Sequence, residues 1–432
     1  MRSHRLQLIE QQARVRNDPE PRFRTAAVLG LGYVGLPTAA VFADAGLQVL
    51  GIDVNEKVVA SISAGRPPMV ETNLEELLRA VVDRGALRAT TTPEPADVFV
   101  IAVPTPFKDG KKPDLAYVHA ATEMIAPLLA PGNLIILEST SPAGTTEQMS
   151  RWLAERRPDL VFPHQDTDKC TVHLAHCPER VLPGKVLHEV VHNERIIGGL
   201  SPRCSQAALD FYRIAVTGEC HITNARTAEL CKLAENAYRD VNIAFANEIS
   251  LICDRLGVDV WELISLTNRH PRVEILRPGP GVGGHCIAVD PWFIFHSAPE
   301  EARLIHTARM INDGKPAWVV EQVASLAAGM GSPTIACMGL AYKPDVDDLR
   351  ESPSVEIAAA LAAKHLGRIV ACEPFVETLP DSLVKSGVDQ VDIDVALEAD
   401  IIVFLTAHKL FRDITPACLQ EKNVFDACGL WR

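Results

Sequence analysis

The stretch TAAVLGLGYVGLPTAAVFADAGLQVLGID, residues 25–53, decides the fold. AAVLG (26–30) is an apolar run of strand length, and PTAAVFADAG (37–46) has helical spacing. QVLGID (48–53) is a second strand. Between the first strand and the helix stands GLGYVG, with Gly30, Gly32 and Gly35 at the spacing of a dinucleotide turn. Gly30 makes the tight turn, Gly32 lets backbone approach a pyrophosphate, and Gly35 lets helix and sheet pack closely. The helix N-terminus then presents N–H groups to the anion. Asp53 ends the next strand, close to the ~20 residues at which an acid meets the ribose hydroxyls. A 2′-phosphate is repelled there and no Arg follows in Val54 or Asn55, which favours NAD over NADP.

The pattern repeats outward. DVFVIAVP (97–104), NLIILEST (133–140) and RIIGGLS (195–201) read as further strands, the last of them closing a parallel α/β sheet. From Asn224 to Leu256 no Pro or Gly interrupts an Ala- and Leu-rich run, which reads as one long helix. A shorter helix near Val260–Asn268, a Pro/Gly-rich loop (270–293) and a helical stretch near 301–311 that continues towards 317–328 follow. PTIACMGL (333–340), RIVACEP (368–374), DIIVFLTAH (400–408) and NVFDACGLW (423–431) restart the α/β pattern, with a helix at SVEIAAALAAKHLG (354–367). The boundaries are an N-terminal extension at 1–24, then domains at 25–212, 213–320 and 321–432.

Composition excludes several classes. Of the 432 residues, 47% are hydrophobic and 22% charged, a globular balance rather than a disordered one. No apolar run reaches the ~18 residues of a membrane helix. The net charge of −13 repels a phosphate backbone, so nucleic acid is not an expected partner, and without a spanning run neither is a membrane. Eleven cysteines, scattered and without a Cys-x-x-Cys pair, indicate reduced thiols and a cytoplasmic protein. The Arg-rich extension lacks the apolar core of a secretory signal.

Other segments carry chemistry. Thr105 in AVPTPF (102–107), and Thr140 and Thr146 in ESTSPAGTT (138–146), follow strands where cofactors bind; each alone also reads as a turn or cap residue. In TAELCKLAENAYRDVN (227–242), Lys232, Asn236 and Arg239 stand at i, i+4 and i+7 on one helix face, suited to an anionic, hydroxyl-rich ligand or to plain solvation. In PGPGVGGHCIAVD (278–290), Cys286 sits beside His285 and four residues before Asp290. A thiol there is a nucleophile when nearby cations, with His285 and Lys232 the candidates, favour the thiolate; otherwise it is a buried structural thiol. A dinucleotide fold with a cysteine nucleophile suggests oxidation of an alcohol to an aldehyde, capture by the thiolate, a second oxidation to a thioester, and hydrolysis to a carboxylate. Tyr342, Lys343 and Arg350 in GLAYKPDVDDLRESPS (339–354) suit a diphosphate, though this segment lacks the glycine fingerprint of a second complete NAD site. His173, His176 and Cys177 lack a fourth ligand at zinc spacing, so no metal is expected.

Taken together, GLGYVGLP, AVPTP, ESTSPAGTT, CPERVLPGK, CKLAENAYRDVN, PGPGVGGHC and YKPDVDDLRESP resemble, in order, the UDP-glucose/GDP-mannose dehydrogenase family. The resemblance implies an α/β chain with an N-terminal Rossmann domain, a central helical dimerisation domain and a C-terminal Rossmann-like UDP-binding domain. It implies Cys286 as covalent nucleophile, Lys232 as proton donor and acceptor, Asn236 assisting at the same oxygen, and Asp290 supporting hydrolysis. For NAD it implies Tyr33, Val34, Asp53, Thr105, Thr146 and Arg350. For the substrate it implies Arg180, Val181, Arg239, His270, Arg272, Gly283, Tyr342 and Lys343, with His270 and Arg272 acting in the partner's site of a homodimer. UDP-glucose members read Gly-Gly-Ser-Cys with a Lys before the Asp, and carry a second Glu after Pro-Glu. This chain has His285, Val289 and Pro183 there, which suits a 2-acetamido sugar. That the sugar is UDP-N-acetyl-D-mannosamine, oxidised at C6 for surface polysaccharide, is what the resemblance implies. The alternatives are UDP-N-acetylglucosamine, UDP-glucose, or a non-catalytic nucleotide-sugar sensor.

Overall fold

A computed structural model describes residues 22–69, 71–182 and 184–431; most of the N-terminal extension, and Pro183, lie outside them. The chain packs as two units: residues up to Thr105 with Asp114–Lys232, and Pro106–Pro113 with Leu233–Arg432.

The first unit starts with β1 (Thr25–Leu29), α1 (Gly35–Asp44), β2 (Gln48–Ile52), α2 (Glu56–Ser63), α3 (Leu74–Asp83), β3 (Leu87–Thr90) and β4 (Val98–Ile101). A hairpin, β5 (Phe107–Lys108) and β6 (Lys112–Pro113), belongs to the second unit. The first then resumes with α4 (Ala116–Ile125), β7 (Leu134–Leu137), α5 (Thr145–Arg156), β8 (His173–His176), α6 (Val186–His192), β9 (Arg195–Gly199), α7 (Pro202–Tyr212) and β10 (Cys220–Asn224). The sheet runs β10-β9-β8-β7-β4-β1-β2-β3. Every pairing is parallel except β8 against β9. Both faces are covered. Val28, Val100 and Ile136 pack with Leu36, Ala39 and Leu78 on one side; Phe99, Ile101 and Ile135 pack with Val118, Met149 and Leu153 on the other.

One strand expectation needs correction. RIIGGLS does not close the sheet, because β10 pairs beyond it with Cys220 opposite Arg195. β10 is a partly exposed edge strand, so its sequence has no apolar run to announce it. β8 has no apolar run to announce it either, because histidines flank Leu174 and Ala175, yet three of its four residues are buried.

The second unit contains most of α8 (Ala225–Leu256), then α9 (Val260–Thr267), α10 (Asp290–Ser297), α11 (Arg303–Ala327), β11 (Thr334–Met338), α12 (Pro353–Ala363), β12 (Arg368–Cys372), β13 (Asp389–Gln390), β14 (Ile401–Phe404) and β15 (Asn423–Asp426). Its all-parallel sheet runs β13-β12-β11-β14-β15. The α9 N-terminus is set by Asp259, whose carboxylate accepts from the N–H groups of Trp261 (2.8 Å) and Glu262 (3.3 Å). In both sheets the connections reverse direction beside the first strand, β1 or β11. That switch point opens a crevice at the carboxyl ends of the strands.

Candidate active site

The first half of the site is the turn between β1 and α1. Gly30 has φ +90°, and a Cβ there would stand 2.5 Å from the Ala102 carbonyl oxygen. Its N–H donates to the Ile52 carbonyl at 2.8 Å. A Cβ on Gly35 would fall 1.9 Å from the Gly30 oxygen, whereas one on Gly32 would meet nothing within 4 Å. The first and third glycines are therefore packed, and the second faces open space, as close approach of a pyrophosphate requires. Val34, the N-cap of α1, has no side-chain acceptor to compete for the helix N–H groups, and Tyr33 beside it is exposed. Asp53 does more than await a ribose. Its carboxylate accepts from Leu31 N–H (3.0 Å) and Asn55 N–H (2.9 Å), so it also braces the turn.

Thr105 and Thr140 come together across the neighbouring strand ends, the Thr105 hydroxyl donating to the Thr140 carbonyl at 2.7 Å. Thr146 lies differently. It is fully buried, and its N–H (2.7 Å) and hydroxyl (2.6 Å) both donate to Glu229. Glu229 also accepts from Gly144 N–H at 2.5 Å, so one buried carboxylate occupies the start of α5. Burial pushes its pKa up, against the hydrogen bonds from Thr146 and Gly144. Sequence reading missed Glu229; its signal was a Ser/Thr-rich loop entering a helix whose N-cap, Gly144, has no side chain to cap it. Arg180 is half-buried, its guanidinium donating to the Glu194 carbonyl, and Val181 packs beside Val41, Val186 and Val190. Lys232 is half-buried on α8.

In the second unit, Leu233 of α8 packs with Val289 and Phe293 of the following loop and helix. That contact brings the next turn of α8 to α10, where the Asn236 amide donates to Asp290 at 2.5 Å. Asp290 is 2% exposed. Its N–H (2.8 Å) and that of Val289 (3.0 Å) donate to the Cys286 carbonyl, placing the half-buried Cys286 one turn before α10. Arg239 is exposed on α8. Desolvation by surrounding protein, then the charges of Arg350 and Lys343, push the His285 pKa down, against Asp348. At neutral pH the ring is uncharged, so His285 is not the cation expected to activate Cys286.

The glycines before Cys286 meet the 342–353 segment. A Cβ on Gly283 would lie 2.6 Å from the Glu351 oxygen and 2.8 Å from both Tyr342 Cβ and Pro353 Cδ. The Gly284 N–H donates to the Arg350 carbonyl at 3.1 Å. Gly283, Tyr342 and Arg350, far apart in sequence, thus form one neighbourhood. Lys343 Nζ lies 5.6 Å from the Tyr342 ring centroid, and Arg350 grips Asp348 with two bonds of 2.9 and 2.7 Å. His270 and Arg272 are exposed on the turn after α9, which Asn268 pins by bonds to both backbone groups of Ile275.

The second crevice copies the first and then seals it. Gly339 has φ +85° and donates to the Cys372 carbonyl, and Leu340 N–H donates to Glu373 as Leu31 N–H does to Asp53. Glu373 is only 3% exposed, however, and accepts further bonds from Ala341 N–H, Phe375 N–H and His408 Nε2. No ribose can reach that carboxylate.

A dinucleotide turn in one unit and a cysteine loop on a cationic, polar segment in the other are the parts of a dinucleotide-dependent dehydrogenase. The chain belongs to the UDP-glucose/GDP-mannose dehydrogenase family: its NAD binding domain matches residues 24–216, its central domain 226–314 and its UDP binding domain 336–432. The cofactor is NAD, and the reaction is the oxidation of a UDP-linked sugar. An NDP-N-acetyl-D-galactosaminuronic acid dehydrogenase of Ralstonia nicotianae is 56% identical, covering 95% of this chain and 96% of that one. A UDP-N-acetyl-D-mannosamine dehydrogenase of Yersinia pestis is 54% identical over 95% and 100% of the two chains. The solved UDP-N-acetyl-mannosamine dehydrogenase of Staphylococcus aureus is 40% identical, with a TM-score of 0.84 over 94% and 95%. Among the described residues, no helix is long and apolar enough to cross a membrane.

Proposed function

We propose that the protein oxidises C6 of UDP-N-acetyl-D-mannosamine twice, to the uronate, through a covalent intermediate on Cys286. The observation that carries this reading is the Cys286–Asp290–Asn236 arrangement: a half-buried thiol one turn before a buried carboxylate that an amide holds in place. NAD, when bound, supplies the two successive acceptors for the hydrides lost from C6. The Cys286 thiolate adds to the C6 aldehyde, its sulfur forming the new C–S bond while the carbonyl oxygen takes the electron pair. Lys232 and Asn236 hold that oxygen and exchange its proton. After the second oxidation leaves a thioester, Asp290 orients the water that breaks the C–S bond, and the thiol and carboxylate separate. Tyr33, Val34 and Asp53 hold the cofactor, with Thr105, Thr140 and Arg350 supporting it; Thr146, turned inward to Glu229, acts only by fixing the start of α5. Arg180, Val181, Arg239, Gly283, Tyr342 and Lys343 hold the UDP-sugar.

The active species is a homodimer, with His270 and Arg272 serving the partner's site. Its support is an apolar stripe on α8: Tyr238, Phe245 and Ile252 follow one another at seven-residue intervals and are 74%, 51% and 46% exposed. Eleven free cysteines suit a reducing cytoplasm. The product belongs to the uronates used in surface polysaccharides.

The Ralstonia relatives favour a second reading, the N-acetylgalactosamine configuration. A panel of UDP-N-acetylmannosamine, UDP-N-acetylgalactosamine, UDP-N-acetylglucosamine and UDP-glucose, scored by kcat/KM, decides between them. The preferred sugar should yield about two NADH per molecule, and Cys286→Ala should abolish acid formation. One NADH per sugar, or acid from the alanine variant, removes the thioester.

A further inference from the structure

The histidine-rich segment holds a site that its sequence spacing does not reveal. His176 and Cys177 are both fully buried, and their estranged surroundings remove them from any shared ligand set with His173: Cys177 packs in the core with Ala175 and Ile197. His173, at the start of β8, instead meets Cys170 from the preceding turn and Cys204 from the first turn of α7. One ligand atom from each of the three lies within 4.8 Å of the others, and Cys204 Sγ stands 4.0 Å from His173 Nδ1. Cys170 is 8% exposed, Cys204 wholly buried and His173 half-buried, which leaves one solvent-facing side for entry.

We infer that Cys170, His173 and Cys204 form a binding site for a thiophilic divalent cation of the zinc class, with a fourth position for water or the Ser201 hydroxyl. Zinc holds sulfur at ~2.3 Å and imidazole nitrogen at ~2.0–2.1 Å, so tetrahedral ligands stand roughly 3.5–3.8 Å apart. Closing from the present spacing takes side-chain shifts of about 1 Å. Binding converts two thiols to thiolates and sends two protons to solvent, leaving the cation and two sulfurs neutral together. Two donors face the Cys204 sulfur, and the Arg22 and Arg203 guanidiniums near His173 favour the thiolate form of the ligands while opposing the free cation. Leu174 N–H donates to Cys204 Sγ at 3.4 Å and the Ser201 hydroxyl does so at 3.2 Å. These are the N–H and O–H donors that orient a metal-bound thiolate. The three ligands come from separate elements of the first unit, so an ion there would tie the turn before β8 to α7. The site is independent of the sugar chemistry on Cys286.

The test is a titration of the reduced, chelator-treated full-length protein with Co2+, read by the thiolate-to-cobalt absorption band and by competition with Zn2+. The expected result is a band saturating at one Co2+ per chain, lost in Cys170→Ser and in Cys204→Ser and kept in Cys286→Ser. His173→Asn, at the half-exposed position, should weaken binding while circular dichroism confirms an unaltered fold. The proposal is overturned if the wild type gives no band, if the band survives in the Cys170→Ser/Cys204→Ser pair, or if Cys286→Ser removes it.

Discussion

His176 shows what burial does to a single side chain. It is fully buried on β8, and neither ring nitrogen has a partner among the described residues. Desolvation lowers its pKa from 6.5 to about 3. The unfolded chain therefore takes up a proton below about pH 6.5 that the fold refuses, and stability falls as pH falls through that window. His176 should account for about 1.4 kcal/mol of lost stability between about pH 7.5 and pH 5.5. Urea unfolding of wild type and His176→Leu at both values checks this; equal losses in the two proteins would refute it. Glu138 works the other way. Burial raises its pKa to about 7, against the pull of Arg195, so its contribution is lost as pH rises from about 4.5 toward 7. The comparison of variants, rather than the total pH profile, isolates His176.

At the scale of elements, the glycine loop before Cys286 is held by two long helices. Gly279 N–H donates to Asn247 Oδ1 at 2.9 Å, and the Asn247 amide donates to Asn312 Oδ1 at 2.8 Å. The Asn312 amide donates to Asp240 at 2.8 Å, and Arg309 donates to the same oxygen at 2.6 Å. All four side chains are buried on α8 and α11. Asn247→Ala leaves a loop N–H and a buried carbonyl unpaired, a cost of roughly 1–3 kcal/mol. The expected outcome is a lower melting temperature and a turnover reduced about tenfold or more. NAD affinity, measured by titration calorimetry, should stay unchanged because the dinucleotide turn belongs to the other unit. A matching loss of NAD binding would show that Asn247 supports the whole fold rather than the loop. The loop needs such support because the glycines that permit close contact with Tyr342 also leave it entropically free.

For the whole molecule, the exposed apolar stripe on α8 makes association the test. Phe245→Glu puts charge into that stripe and should shift the protein from dimer to monomer in analytical ultracentrifugation, with turnover falling alongside. A monomer that retains full turnover would rule out the shared site assigned to His270 and Arg272. Much of the architecture was readable in advance. Gly30, Gly32, Gly35 and Asp53 lie within one βαβ segment, and the Cys286–Asp290 spacing is one helical turn, so chain-local geometry carries both. Strands β8 and β10 escaped because their apolar patterns are broken or half-exposed. By itself, then, the sequence determined the α/β class, the dinucleotide turn and the cysteine loop, since hydrophobic period and backbone preference act over a few neighbouring residues. Only the tertiary structure decided that Thr146 turns inward to Glu229, that Gly283 needs its missing side chain because of Tyr342, and that Cys170, His173 and Cys204 converge. Those outcomes depend on which distant segments desolvate one another, and no local spacing encodes that.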